Sequence, residues 1–296
     1  MTATSSPDAK RPPKRRWLIA LALLLSVLGY LSGSLEFIES EITDLKFAVT
    51  GRAPSGDIVF VGIDTRSIRK LGAWPWPRTL HAAVLDRLMA AGARKVVFDI
   101  DFSSPSTVAA DAALERSLAA ANGAVVLAAH VQRGPGGDGS IFTMPLPRLA
   151  RHADIASMTV HPAADGLIRQ MIVRQQWPDR LMPSVAALLA DRVDVPFTQY
   201  NVDFAIDAAA IPYLSFADVA TGRFDPEAVR NKAVIVGAAA IELGDQLPVP
   251  IYKSLSGSRL LALAYESLLQ DRALRRLGPV PVILLTCAIA VALGPR

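Results

Sequence analysis

The stretch Asp57-Ile-Val-Phe-Val-Gly-Ile-Asp64 decides the fold class of this chain. It is a short apolar run bounded by turn-forming residues, which predicts a buried β-strand. Residues 78–91 follow with an apolar stripe at helical spacing and Gly92 as a stop, so they predict a helix. Residues 94–101 then predict a second strand. A strand, a crossing helix and a strand in this order indicate a parallel sheet.

The same alternation continues along the chain and predicts one α/β domain with a mostly parallel sheet covered by helices on both faces. No internal repeat and no long linker divides this body. The further predicted elements are a helix at 108–121, strands at 124–130, 155–160 and 168–175, a helix at 184–191, a strand at 232–237 and a helix at 258–270.

The positive charge of the chain is concentrated at its beginning. Residues 1–16 carry five cations and one acid, which equals the whole formal net charge of +4. The remaining residues therefore sum to zero and imply no basic face for DNA or RNA. We expect no nucleic-acid partner, and we interpret the basic residues as a signal for membrane topology.

Two apolar segments flank the predicted domain. Residues 17–34 follow the basic tail and predict a transmembrane anchor, although Ser32-Gly33-Ser34 leaves a cleavable signal peptide as the alternative. Residues 277–294 predict a second transmembrane helix, with a buried C-terminal helix as the alternative. The expected organisation is a cytoplasmic tail at 1–16, an anchor at 17–34, an extracytoplasmic domain at 35–276 and a helix at 277–294.

Carboxylates follow the predicted strands. Asp64 comes after the first strand, and Asp99 and Asp101 end the second. Ligands of open α/β sheets bind beyond the carboxyl ends of the strands, and carboxylate oxygens are suitable ligands for a divalent cation. Short acids at such positions equally cap helices and accept hydrogen bonds from loop amides. Both interpretations stay open at this point.

A stiff loop, Trp74-Pro75-Trp76-Pro77-Arg78, joins the first strand to the first helix. The indoles provide apolar area and Arg78 could bind an anion with its two-pronged guanidinium group. Alternatively, the tryptophans cover the sheet end and Arg78 pairs with one of the nearby acids. Asp165 and Arg169 form a second acid–base pair, suited either to recognition or to an internal ion pair.

Known catalytic patterns are absent from the sequence. It contains no G-x-S-x-G, H-E-x-x-H or phosphate-loop lysine pattern. The four histidines, His81, His130, His152 and His161, have no metal-binding spacing and are expected to be surface or hydrogen-bonded residues. The single cysteine, Cys287, lies in an apolar run, and the glycine-rich stretch 133–139 is expected to be a surface loop. We predict no catalytic residue, no metal and no cofactor.

Several motifs together resemble the type-2 CHASE domain, a sensory extracellular module of bacterial receptors. They are Asp44-x-x-Phe47, Ile58 to Asp64 with Ser67, Trp74 to Arg78, Ala91 to Phe102, Asp165-Gly-x-x-Arg169, Val234 to Gly237 and Gly244-Asp245. The resemblance covers about residues 35–275 and adds Asp245 to the candidate ligand-binding or structural residues: Asp64, Trp74, Trp76, Arg78, Asp99, Asp101, Asp165, Arg169 and Asp245.

The resemblance implies a membrane-anchored extracytoplasmic signal-input domain in the bacterial inner membrane, without enzymatic activity of its own. Its expected partners are the membrane, an unknown extracytoplasmic signal, and either a second copy or a separate cytoplasmic output protein. The sequence departs from the family pattern in two respects. Residues 256–264 lack an expected histidine, and one C-terminal membrane helix is present without an output domain. The alternatives are a metal-dependent hydrolase using Asp64, Asp99 and Asp101, or a structural partner domain.

Overall fold

A computed structural model describes residues 34–134 and 139–274, together with single positions in the apolar segments (17, 20, 21, 24, 28, 284, 288, 289 and 292). The predicted basic tail, most of both predicted membrane helices, Cys287 and residues 135–138 of the glycine-rich stretch lie outside these residues. None of the helices in the described part of the chain combines the length and the apolar character needed to span a bilayer.

The chain divides into two compact units, one of residues 46–275 and one of residues 1–45 and 276–296. The described helices, numbered here in chain order, are α1 (Ser34–Val49), α2 (Thr65–Leu71), α3 (Arg78–Ala90), α4 (Val108–Ala120), α5 (Pro147–Ala150), α6 (Val185–Leu189), α7 (Phe216–Ala220) and α8 (Gly257–Leu269). The strands are β1 (Ile58–Ile63), β2 (Lys95–Asp99), β3 (Val125–Arg133), β4 (Ser140–Thr143), β5 (Asp154–Ser157), β6 (Gln170–Ile172), β7 (Arg174–Gln176), β8 (Leu181–Pro183), β9 (Gln199–Asn201), β10 (Tyr213–Ser215), β11 (Ala233–Ala238), β12 (Gln246–Val249) and β13 (Lys253–Ser256).

Seven strands build the main sheet of the larger unit. Strands β10, β1, β11, β2, β3 and β5 lie side by side and parallel, and β4 pairs antiparallel with the end of β3. The pairs β6–β9, β7–β8 and β12–β13 form small antiparallel sheets. The prediction of an α/β fold with a mostly parallel sheet is therefore confirmed.

The central strand β1 is buried on both faces, as its unbroken apolar sequence predicts. Val59, Val61 and Ile63 pack with residues of α3 and α4, whereas Ile58 and Phe60 pack in a second cluster with residues of α8. Each aliphatic side chain buried in this way stabilises the fold by about 1.5–3 kcal/mol. Helices thus cover both faces of the sheet, as predicted.

The middle of the body differs from the prediction. The expected strand 168–175 divides into β6 and β7, and the expected strand 155–160 ends at Ser157. The division occurs at Val173, whose N–H donates to the Thr198 carbonyl while its own carbonyl accepts from the Ser184 N–H. The N–H and the carbonyl of Val173 thus form hydrogen bonds with two different segments of the chain. The stretch predicted as one strand is therefore divided into two short strands.

Both ends of the larger unit attach to residues 199–207, which we call the junction segment. On the N-terminal side, the Arg52 N–H donates to the Ala205 carbonyl at 2.8 Å, and on the C-terminal side the Asn201 N–H donates to the Leu274 carbonyl at 2.7 Å. The buried carboxylate of Asp203 lies 3.4 Å from Nε of Arg52 and 3.4 Å from Nε of Arg272. One buried anion therefore holds both ends of the body.

Candidate functional site

The carboxyl ends of the parallel strands carry most of the predicted site residues. Because parallel strands end at the same edge of a sheet, the turns that follow β1 and β2 lie there. Two cavities open at this edge. We call the one behind the Trp-Pro-Trp-Pro-Arg loop the tryptophan pocket, with about 380 Å³, and the one beside Asp99 the acid pocket, with about 230 Å³.

Asp64 begins helix α2 and is fully engaged in structural contacts. Its Oδ1 accepts from the Ser67 N–H at 2.7 Å, the Ser67 hydroxyl at 2.6 Å and the Ser215 hydroxyl at 3.0 Å, and its Oδ2 accepts from the Tyr213 hydroxyl at 2.9 Å. Burial by itself raises the pKa of Asp64, but these hydrogen bonds outweigh it and hold the pKa below its usual value. Asp64 thus caps α2 and ties it to β10.

The two tryptophans have different environments. Trp76 is buried, donates from Nε1 to the Gly72 carbonyl at 2.8 Å, and packs on Phe216 with ring centroids 4.9 Å apart. Trp74 is half-buried, precedes a cis peptide bond to Pro75, and meets Trp76 edge-on with ring centroids 5.3 Å apart. Trp76 therefore covers the sheet end, whereas Trp74 forms a wall of the tryptophan pocket.

The side chain of Arg78 lines the same pocket and is held in place by hydrogen bonds. Its Nη1 donates to Asp111 at 2.6 Å, and its Nη2 donates to the Ser104 carbonyl. The guanidinium carbon also lies 5.3 Å from the centre of the Phe102 ring. Arg78 does pair with an acid, but its partner is Asp111 of α4 and none of the acids that follow the strands. Because Asp111 balances its charge, Arg78 offers no net positive charge for an anion.

His81 was expected to be a surface or hydrogen-bonded residue, and this prediction is wrong. The side chain is only 2 % exposed, and neither ring nitrogen has a hydrogen-bond partner among the described residues. Burial lowers the pKa of His81 to about 4; the nearby Pro77 carbonyl opposes this without reaching hydrogen-bonding geometry, and the Arg78 charge adds to it. The imidazole is therefore neutral at physiological pH and lines the tryptophan pocket.

The acid pocket brings Asp99 and Asp245 together at the start of α8. The Ser258 hydroxyl donates to Asp99 at 2.7 Å, and the Gly257 N–H donates to Asp245 at 2.9 Å. Glycine at position 237 makes room for this arrangement, because a Cβ there would overlap the Ser258 hydroxyl. His130 of β3 lines the same cavity.

The acid pocket has unusual electrostatics. Burial raises the pKa of Asp99, opposed by the hydrogen bond from Ser258. Burial, together with repulsion from Asp99, raises the pKa of Asp245 to about 6. Burial lowers the pKa of His130, although the charges of Asp101 and Asp245 oppose the shift. In both carboxyl groups the protonated form is thus more stable, relative to the ionised form, than in a free aspartate side chain.

Among the remaining predicted residues, Asp101, Asp165 and Arg169 do not line the acid pocket. Asp101 is exposed, accepts from the Ser103 N–H at 2.7 Å and lines the tryptophan pocket. Asp165 accepts from Arg169 at 2.6 Å, so these two form an internal ion pair. In the described part of the chain, no group of three or more His, Cys, Asp or Glu side chains is arranged to hold a metal ion.

Sequence reasoning missed Asp111, Ser258 and the role of His81 and His130. Asp111 stands in the first turn of α4 and Ser258 in the first turn of α8, positions where such residues are common for reasons of capping alone. His81 carried one usable signal, because it lies on the apolar stripe of α3 among Leu80, Val84, Leu85 and Leu88. A polar residue on the buried stripe of a helix indicates an internal polar contact or a ligand.

The fold and the two cavities define an open α/β domain with pockets at the carboxyl edge of its sheet. The model of the CHASE2 domain matches residues 19–295, nearly the whole chain, so the chain belongs to the CHASE2 family. CHASE2 domains are extracellular sensory domains of membrane receptors. No curated protein and no solved structure matches the chain.

Proposed function

We propose that this chain is a membrane-anchored, extracytoplasmic signal-input domain of a bacterial receptor, whose output is supplied by a further cytoplasmic region or a separate protein. Membership of the CHASE2 family supports the sensory role. The observation that carries the proposal is the junction segment, where the two ends of the body share the carboxylate of Asp203. A sensory domain passes on its signal by shifting the segments attached to it.

The junction is suited to that task because the carboxylate of Asp203 is buried and both arginines are partly exposed. Asp203 is 1 % exposed, and its own N–H donates to the Ser267 hydroxyl of α8 at 2.9 Å. A buried anion costs several kcal/mol unless its partners stay in place. In the sequence, Arg52 follows the first apolar segment and Arg272 precedes the second. Because both arginines contact the carboxylate of Asp203, movement of one apolar segment would alter the contact that Asp203 makes with the arginine next to the other.

The proposed topology follows from the sequence of the ends. The basic residues before residue 17 favour the cytoplasmic side, and the apolar segments 17–34 and 277–294 are long enough to cross a bilayer. Residues 35–276 then face the periplasm. A homodimer would bring two pairs of flanking segments together, and a separate output protein would receive the signal on the cytoplasmic side.

Reporter fusions test this topology directly. We expect alkaline phosphatase fused after residue 150 to be active, because that enzyme works only outside the cytoplasm, and β-galactosidase fused at the same position to be inactive. Fusions after residue 16 serve as the matched control and should show the opposite pattern. Active β-galactosidase at residue 150 would overturn the proposed localisation.

A metal-dependent hydrolase built on Asp64, Asp99 and Asp101 receives no support. Asp64 is occupied by hydroxyl and amide donors, Asp99 lines the acid pocket, and Asp101 lines the tryptophan pocket. The three carboxylates thus have different neighbours. We therefore do not propose this second function.

A further inference from the structure

We propose that the tryptophan pocket binds a small, uncharged, planar ring compound bearing a hydroxyl or amide group, and that His81 is the residue that hydrogen-bonds this group. The inference rests on the proposed sensory function, since it names the class of compound that such a domain would detect. It is carried by a cavity of about 380 Å³ and a buried side chain that faces it without a partner.

The hydrogen-bonding capacity of the His81 side chain is unmet in the structure. A neutral imidazole has one N–H donor and one nitrogen acceptor, and both lack partners among the described residues. A buried polar group without a partner destabilises the fold, and such groups call for an explanation. The two nitrogens point in different directions, so one ligand group pairs with one of them. A hydroxyl or an amide can both donate and accept, and therefore suits either the N–H or the acceptor nitrogen of His81.

The walls of the tryptophan pocket are aromatic and suit a flat ligand. Trp74 meets His81 edge-on with ring centroids 5.9 Å apart, and Phe102 does so at 5.5 Å. Pro75 and Pro77 stiffen the loop that forms the outer wall. The volume lies near the lower end of the range typical of small-molecule sites, which favours a single ring or a pair of fused rings. Aromatic walls favour a flat ligand, since flat rings stack or meet edge-on.

The charged residues that line the tryptophan pocket disfavour a charged ligand. Arg78 is neutralised by Asp111, and its second terminal nitrogen is taken by the Ser104 carbonyl, so an anion would find no free cation there. Asp101 is the carboxylate among the lining residues, and it is exposed at the rim, where it already accepts from the Ser103 N–H. A cation bound in the interior of the pocket would thus have no carboxylate beside it to balance its charge. The interior of the pocket favours an uncharged compound.

A binding experiment with simple probes tests the proposal on the full-length protein in detergent or nanodiscs. We would titrate benzamide and phenol as uncharged probes, benzene as a ring without a polar group, benzoate as an anion and benzylammonium as a cation. Saturation-transfer NMR and tryptophan fluorescence would report binding. We expect benzamide or phenol to bind at least tenfold more tightly than benzene, benzoate or benzylammonium.

The decisive variant is His81→Phe, which keeps an aromatic ring in place and removes both nitrogens. We expect it to weaken benzamide or phenol binding about tenfold and to leave benzene binding unchanged, while folding is retained because an unsatisfied buried group is removed. A second variant, Trp74→Leu, should weaken all ring probes. His152→Phe is the matched control, because His152 lies beside Glu115 and does not line the pocket. In wild-type protein labelled with ¹⁵N-histidine, the His81 imidazole signals should shift on binding.

Several results would overturn the proposal. These are no binding of either uncharged polar probe, equal binding of these probes to wild type and His81→Phe, or tighter binding of benzoate or benzylammonium. The reporter fusions do not depend on any ligand. Failure of the binding experiment with the expected topology would therefore remove the ligand class while the signal-input proposal stands.

Discussion

Asp64 and Asp99 occupy comparable positions and have opposite electrostatics. Asp64 follows β1 and Asp99 ends β2, with only β11 between these strands, and Gly62, Gly237 and Asp99 lie in one row across the sheet. Asp64 accepts from Ser67, Ser215 and Tyr213, and its pKa is lowered. Asp99 accepts one hydrogen bond among the described residues, from Ser258, and its pKa is raised.

The difference shows that the balance between burial and the number of hydrogen-bond donors, rather than the residue type or its place in the sheet, sets the pKa of a carboxylate here. Donors that outweigh desolvation make Asp64 a charged structural anchor. Asp99 has a single donor, and its charge repels the nearby carboxylate of Asp245. The ionised forms of these two side chains are therefore destabilised, which we call the electrostatic stress of the acid pocket. The two regions should therefore respond in opposite directions when charge is removed.

The largest effect is expected from Gly237→Ala on the Asp99 side. The added Cβ would overlap the Ser258 hydroxyl and lie 3.1 Å from Cβ of Asp99, so the start of α8 must move. Overpacking of this kind lowers the free energy of unfolding by about 3 kcal/mol. Chemical denaturation would measure it. Gly51→Ala is the control, because no atom lies within 4 Å of its Cβ, and equal stability of the two variants would contradict the proposed close packing.

Next in size is Asp64→Ala. It removes the cap of α2 and leaves the hydroxyls of Ser67, Ser215 and Tyr213 without their acceptor, so we expect a loss of about 2–3 kcal/mol. The matched control is Asp207→Ala, since Asp207 is exposed and its side chain accepts one hydrogen bond, from the Ala209 N–H. It should cost under about 1 kcal/mol.

The pH dependence of the free energy of unfolding gives a second measurement of the role of Asp64. Its pKa is lowered in the folded state, so its contribution to stability is complete above the unfolded pKa of 3.8 and is lost as pH falls through the lower folded value. Below that value the difference between wild type and Asp64→Ala should shrink. A constant difference at all pH values would show that the charge of Asp64 contributes nothing.

The comparison also explains how much the sequence could predict. Five of the six parallel strands, all except β10, and the helices α3, α4 and α8 follow from apolar periodicity and from glycine stops, which are local signals. The hydrogen bonds of Asp64 do not follow from local signals, because Ser215 and Tyr213 come from a strand about 150 residues away in the chain. The pairing of Asp99 with Asp245, and of Arg78 with Asp111, likewise depends on long-range contacts that spacing cannot reveal.

A third prediction concerns Asp245 and has the opposite sign. Its pKa is about 6 in the fold against 3.8 as the ordinary value, so the folded state binds the proton more tightly and stability rises as pH falls from about 7 toward 4. Asp245→Asn removes this charge. We expect it to raise the free energy of unfolding at pH 7 by about 2 kcal/mol, with the gain vanishing near pH 4.

Asp86→Asn is the control for this prediction, since Asp86 is exposed on α3 and the change should stay within about 0.5 kcal/mol at either pH. Thermal unfolding followed at several pH values would give both quantities. Destabilisation by Asp245→Asn at pH 7 would mean that the hydrogen bond to the Gly257 N–H outweighs the electrostatic stress, and the contrast between the two carboxylate regions would then fail.

The smallest effect is expected from Tyr213→Phe, which removes one of the donors to Asp64 and keeps the ring beside Phe60. Tyr213 is 40 % exposed, so water replaces part of the lost contact and the cost should be about 0.5–1 kcal/mol. With fewer donors, the pKa of Asp64 should move up toward its ordinary value, which carboxyl-carbon NMR would detect. The control Tyr200→Phe also loses a hydrogen bond, from its hydroxyl to the Ala264 carbonyl, but should leave the pKa of Asp64 unchanged. If the pKa of Asp64 stays fixed in Tyr213→Phe, the number of donors does not control this carboxylate, and burial and the backbone cap must account for its behaviour.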